Sequence, residues 1–260
     1  YKRQIIDAGE DQAVCNGAVI MLSGSGAGEF GMYEWSGGVF NEIEFMPTES
    51  VDYVVTGTDE NGCENTDTVS VEVHDLPAID AGVDLEICIG DEVVLSASGA
   101  GVDGTYNWED GIFNDVAFGP GSTEIYVVLG IDANGCENID SVQVTVHDLP
   151  TIVAGDDLEI CTGEEIVLNG SGAGIDGTYN WNHGAFDGVA FIPASSGSYV
   201  LVGVDANGCE NIDSLNLVLL PAPAINGGID QRLCIESEVV LAVVDKNEEV
   251  EYSWDNGIED

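Results

Sequence analysis

Asp59-Glu60-Asn61-Gly62-Cys63-Glu64-Asn65 returns as Asp132-Ala133-Asn134-Gly135-Cys136-Glu137-Asn138 and again as Asp205-Ala206-Asn207-Gly208-Cys209-Glu210-Asn211, each time after 73 residues. The rest of the chain keeps this step. Cys15, Cys88, Cys161 and Cys234 form a second series with the same interval, and Trp35, Trp108, Trp181 and Trp254 form a third, each closing a Tyr-x-Trp triplet. Repetition at one fixed period marks copied structural units. The first copy runs over 4–76, the second over 77–149 and the third over 150–222; 223–260 hold the first half of a fourth, and 1–3 read as the end of a preceding copy or a linker. The sequence opens at a junction and stops within a copy, so it reads as a window on a longer polypeptide.

Within a copy the apolar residues alternate, as in Val142-x-Val144-x-Val146, and the runs are short, with Gly, Asn, Asp or Pro between them. That is the pattern of a β-sandwich, with six or seven strands in each 73-residue copy and no stretch long enough for a good helix. Asn-Gly at 61–62, 134–135 and 207–208 predicts a tight hairpin with positive φ angles between the last two strands. Pro77, Pro150 and Pro223 open their copies and suit linkers. The fold expected is therefore all-β, a tandem array of small sandwich domains strung as beads along a rod.

Composition narrows the function. There are 49 acidic side chains against four basic ones, a formal net charge of −45, and no Lys or Arg between Gln4 and Gln231. Binding a phosphate backbone depends on clustered cations, so nucleic acid is excluded as a partner. Anionic lipid headgroups and sulfated sugars are repelled for the same reason. Yet 44% of the residues are hydrophobic, too many for a solvated, disordered polyanion. No apolar run approaches the length of a bilayer span, so direct membrane insertion is not expected. Trypsin-like proteases find no site between Gln4 and Gln231, which suits a protease-rich exterior.

Small domains benefit from a cross-link. Pairing Cys15–Cys63, Cys88–Cys136 and Cys161–Cys209 closes three like loops, each contributing roughly 4 kcal/mol on the chain-entropy view. The register Cys63–Cys88, Cys136–Cys161 and Cys209–Cys234 is open as well, and would staple neighbouring domains. The first is preferred, because the second has the chain cross a junction and fold back. It carries one difficulty: in a simple sandwich the segment before the second strand and the hairpin holding Cys63 lie at opposite ends. Either pairing implies an oxidising compartment. Zinc is disfavoured, since no Cys-x-x-Cys or Cys/His cluster occurs.

The order Asp-Ala-Gly-x-Asp, Cys-x-Gly, Val-x-Leu, Tyr-x-Trp, Phe and Pro, Tyr-x-Val, then Asp-x-Asn-Gly-Cys resembles the immunoglobulin-like or polycystic-kidney-disease-like repeats of large Bacteroidota surface proteins. Many of those are gliding-motility-associated adhesins exported by type IX secretion. The resemblance implies a cell-surface stalk or adhesin. It also implies O-glycosylation at Asp, then Ser or Thr, then an aliphatic residue, a triplet that places Thr68, Ser141 and Ser214 as acceptors.

Other patterns suggest chemistry and are weighed against plainer readings. Gly-x-Gly-x-x-Gly stands at 26–31, 99–104 and 172–177, but each leads straight into the Tyr-x-Trp strand, leaving no helix N-terminus for a pyrophosphate; an ordinary loop is preferred and no organic cofactor is expected. His74 and His147 are equivalent junction residues, whereas His183 stands where the other copies have Gly37, Asp110 and Asn256, so no histidine is kept in all copies as a general base. The chain is not read as an enzyme. Ca²⁺ is the stronger proposal: Asp11, Asp84, Asp157 and Asp230 share one position, Asp59, Asp132 and Asp205 open the Asn-Gly turn, and Asp67, Asp140 and Asp213 follow it. Such turns offer the oxygens Ca²⁺ takes; the plain alternative is that the carboxylates bond their own backbone, the remaining acids keeping the chain soluble.

The reading is a structural stalk or filament segment of a very large secreted adhesin at the extracellular cell surface, for gliding or attachment. Its partners are neighbouring repeats of the same chain and, laterally, other filaments. The alternative is a set of binding or spacer modules on a secreted polysaccharide-degrading enzyme. Buried Trp favours the first and exposed Trp the second.

Overall fold

A computed structural model describes residues 4–222 together with 225–226, 229–230, 232–234 and 239–242. Tyr252 and Trp254 of the fourth copy lie outside the described residues. The chain divides into two compact units, Tyr1–Leu149 and Pro150–Asp260. Among the described residues the first unit holds two sandwiches and the second holds one.

The first sandwich comprises β1 (Gln12–Cys15), β2 (Ile20–Met21), β3 (Met32–Trp35), β4 (Glu44–Phe45), β5 (Val51–Thr58) and β6 (Glu64–His74). One sheet has the order β1-β6-β5-β3 and the facing sheet is β2-β4, extended by a bridge between Asp7 and Ser25. The second sandwich repeats this with β7 (Leu85–Cys88), β8 (Val93–Val94), β9 (Thr105–Trp108), β10 (Ala117–Phe118), β11 (Glu124–Ile131) and β12 (Glu137–His147). The third uses β13 (Leu158–Cys161), β14 (Ile166–Val167), β15 (Thr178–Trp181), β16 (Ala190–Phe191), β17 (Gly197–Val204) and β18 (Glu210–Leu220). This is the tandem immunoglobulin-like β-sandwich fold expected from the periodicity. The helical turns in it are short 3-10 segments, Ser36–Gly38 and Glu109–Gly111.

Alternation along the long hairpin strands builds each core. Tyr53, Val55, Val69 and Val71 turn inward from β5 and β6, meeting Trp35 and, from the facing sheet, Leu22. The second core repeats the set as Trp108, Tyr126, Val128, Val142, Val144 and Leu95, and the third as Trp181, Tyr199, Leu201, Leu215, Leu217 and Leu168. Three separate cores result, and Trp35, Trp108 and Trp181 are each at least nine-tenths buried. Each of these three indoles still donates a hydrogen bond, to Oδ1 of Asn41, Asn114 or Asp187, as a buried N–H requires.

Two expectations about the turns change. The hairpin is a five-residue loop, not a two-residue one: Thr58 pairs with Glu64, and the Asp59 side chain accepts the amides of Asn61 and Cys63. Only the glycine takes positive φ, at 79°, 81° and 85° in Gly62, Gly135 and Gly208. Nor are the opening residues of the first three copies loose linkers, Pro223 lying outside the described residues. Asn65, Asn138 and Asn211 donate their side-chain N–H to the carbonyls of Gln4, Pro77 and Pro150, tying each copy's entry to its own hairpin.

The second and third copies differ at one packed pair, while the first sets Gly24 against Val55. Leu201 in the third core replaces Val128 of the second, and the facing residue is Gly170 where the second has Ala97. A Cβ on Gly170 would lie 2.7 Å from Leu201 Cδ2 and 2.7 Å from Tyr179 Cδ1, so the third core has no room for it as it stands. We expect Gly170→Ala to destabilise the third sandwich by about 1–3 kcal/mol through overpacking, and Leu201→Val to recover part of that loss in the double mutant, measured by urea denaturation followed at Trp181.

Candidate functional site

The parallel pairing of β1 with β6 sets Cys15 beside His74, at the end of the sandwich where the chain leaves for the next copy. The β11–β12 hairpin holds Cys136 at the opposite end of the second sandwich, beside that copy's entry at Pro77. These two ends meet. Cys15 and Cys136 form a disulfide across 121 residues of sequence, with their Cα atoms 5.5 Å apart. Cys136 is wholly buried and Cys15 half-buried. On the chain-entropy view a loop of this size is worth roughly 5 kcal/mol.

Both pairings considered from sequence are corrected by this bond. Cys15 does not join Cys63, nor Cys88 Cys136, nor Cys136 Cys161. Cys63 and Cys161 are free and exposed, which removes Cys161–Cys209 and Cys63–Cys88, and Cys234 is free as well, which removes Cys209–Cys234. Cys88 and Cys209 are disulfide-bonded. The physical reason is the end-to-end separation that parallel strand pairing imposes inside one sandwich, which puts its two cysteines out of each other's reach while bringing a strand-end cysteine to the following hairpin.

The aspartates proposed for Ca²⁺ are engaged with backbone amides. Asp67, Asp140 and Asp213 reach back across the sandwich to accept the N–H of Ala8, Ala81 and Ala154, each at 2.8 Å. Asp11, Asp84 and Asp157 accept the amides of Ser70, Gln143 and Asn216 on the last strand. Asp59, Asp132 and Asp205 each accept two amides within the hairpin loop. Among the described residues, no group of three or more His, Cys, Asp or Glu comes together in a way that could hold a metal ion.

The glycine-rich loops serve the backbone too. Tyr33, Tyr106 and Tyr179 accept the amides of Ala27, Ala100 and Ala173 on their hydroxyls, pinning the loop to the strand that follows it. Gly26, Gly99 and Gly172 have positive φ and pass so close to the carbonyls of Ile5, Ala78 and Thr151 that no Cβ fits. His183 takes the left-handed conformation at φ 55° and meets the Tyr199 ring edge-on, while His147 lies 3.2 Å from Glu86. Thr68, Ser141 and Ser214 are exposed on β6, β12 and β18. The inter-copy bond is the feature sequence reasoning missed; equal 73-residue steps are compatible with several pairings, and the signal that distinguishes them is the opposite placement of strand end and hairpin.

No protein-family model matches the chain, and no curated protein matches it. Among solved structures, it is similar to an I-band fragment of titin, I67–I69, at 11% identity, covering 83% of this chain and 98% of that one, TM-score 0.39. The N-terminal eight immunoglobulin domains of Down Syndrome Cell Adhesion Molecule match at 11% identity and TM-score 0.43, with 83% of this chain and 36% of that one covered. Sidekick-1 immunoglobulin domains 1–4 match at 13% identity and TM-score 0.31, covering 84% and 76%. No helix among the described residues is long and apolar enough to cross a membrane.

Acid tests the aspartate staples. The Ala81 amide holds the Asp140 carboxyl below its usual range, the Ala154 amide does the same for Asp213, and the Cys63 amide for Asp59. A carboxylate whose folded pKa is depressed contributes stability that is present above its unfolded value of about 3.9 and is lost as pH falls through the folded value. The gap in Tm between the wild type and Asp140→Ala should therefore be open at pH 7 and close below about pH 4. A gap that stays constant across this range would remove the carboxylate's role.

Proposed function

We propose that this chain is a segment of an extracellular stalk that carries tension between a cell surface and whatever the stalk holds. The observation behind it is the Cys15–Cys136 bond. Tension entering at the first copy crosses from residue 15 to residue 136 through sulfur, so residues 16–135, with most strands of both sandwiches, are off the load path.

Repetition supports the same role. The described copies share one set of staples and one core pattern, with no catalytic constellation peculiar to any of them. A spacer asks for uniform units of this kind, and the disulfides suit an oxidising exterior. An adhesin of the gliding-motility type, exported by type IX secretion, is the specific form that the sequence resemblance adds. On that reading Thr68, Ser141 and Ser214 carry O-linked sugars, and their exposure leaves room for them.

The binding-module alternative draws support from one feature. Phe40, Phe113 and Phe186 hold one repeat position and are 69%, 72% and 72% exposed, presenting a phenyl ring per copy. The buried indoles weigh the other way, since Trp faces are the usual platforms for sugar rings.

Stretching single molecules tests the stalk. Pulled from its ends, the oxidised chain should unravel to a contour at least roughly 400 Å shorter than the same chain in reductant, the length of the bypassed segment at about 3.3–3.6 Å per residue. Equal contours in the two conditions would defeat the proposal. For the sugars, native material should exceed the sequence mass by whole glycan increments, and an unmodified mass would retire that part alone.

A further inference from the structure

We infer that the Cys63 end of the first sandwich is a docking point for a further copy of the 73-residue repeat, seated there in tandem as the first sandwich is seated on the second. Cys63 and Cys136 occupy the same place in the same five-residue loop. Both amides donate to the loop-opening aspartate at 2.8 Å, so the loop is already formed whether or not its cysteine is bonded. What differs is cover. Cys136 is at 0% exposure beneath the strand end that bears Cys15, whereas Cys63 is exposed and free.

The surroundings of Cys63 carry the marks of an uncovered interface. Gln4 has both polar atoms of its carboxamide buried with no hydrogen-bond partner. It lines an open cleft of about 330 Å³ with Gly28, Phe30, Asp59 and Asn61, and Phe30 is 74% exposed. Cys161 shows the complementary state. It is the strand-end cysteine of the third sandwich, exposed and free, where its equivalents Cys15 and Cys88 are half-buried and disulfide-bonded. Two classes of thiol therefore exist, strand-end and hairpin, and the one bond whose partners are defined joins unlike classes in adjoining copies.

The occupant is thus a sandwich of this same repeat, presenting the cysteine that ends its β1-type strand. Bond formation releases two protons and passes two electrons to a small-molecule disulfide such as oxidised glutathione, which leaves as two thiols. This pairing rule goes beyond the mechanical role and does not require it: a chain joined in this way need bear no load.

The test adds one copy. A duplicate of residues 77–149 is placed directly ahead of Gln4, the protein is oxidised with glutathione disulfide, alkylated with iodoacetamide, and mapped after glutamyl-endopeptidase digestion. In the unextended chain Cys63 and Cys161 are alkylated and Cys15, Cys88, Cys136 and Cys209 are not. In the extended chain Cys63 should become protected and be recovered joined to the strand-end cysteine of the added copy, whose own hairpin thiol becomes the alkylated one. Continued alkylation of Cys63, or its recovery with Cys15 or with a hairpin cysteine, would overturn the inference. Should the added copy fail to fold ahead of Gln4, a duplicate of residues 150–222 placed directly after Ala222 tests the reciprocal site. Cys161 should then be protected by the hairpin cysteine of that duplicate, and an unprotected Cys161 counts against the inference equally.

Discussion

Everything about the junction follows from the parallel pairing of β1 with β6. An antiparallel first strand would have ended at the hairpin pole of its own sandwich, where a cross-link within one domain is within reach. Parallel pairing reverses this, carrying Cys15 to the pole where the chain departs. The polypeptide then leads directly into Pro77, whose carbonyl is held by Asn138 two residues past Cys136. Short connection and fixed entry together leave Cys15 little choice of partner, and a bond inside one copy gives way to a bond between two.

The acidity of the chain has two parts. Most of its 49 carboxylates face solvent and keep a hydrophobic sequence dispersed. A recurring subset does structural work: Asp67, Asp11 and Asp59 in the first copy each satisfy amides that strand pairing leaves over. Ladders of two residues, as in β2 with β4, pair few backbone groups. Side-chain acceptors make up part of the difference, and aspartate, short and charged, is well suited to accept from an amide across a narrow gap. No cation is needed for this, which fits a chain lacking Lys and Arg from Gln4 to Gln231.

Much of this was legible in the sequence. The period gave the copies, the alternation gave the strands, and Tyr-x-Trp marked a strand whose Trp faces inward. The Asp-x-Asn-Gly turn is legible as a hairpin, but its length is not, because Asp59 caps a five-residue loop through its side chain and Gly62 alone takes positive φ there. The carboxylates were visible as recurring positions; whether they face a metal or a backbone amide depends on partners about 59 residues away, as with Asp140 and Ala81. The disulfide was misassigned for a similar reason: the relative direction of the first and last strands is a property of the folded sheet, absent from any local pattern.

The span between Cys15 and Cys136 is closed into a ring. A single break in the main chain anywhere from Asn16 to Gly135 therefore leaves both halves attached to each other, and the molecule keeps its continuity after a cut that would sever an ordinary string of domains. Damage tolerance of this sort is a property of topology, independent of how stable either sandwich is.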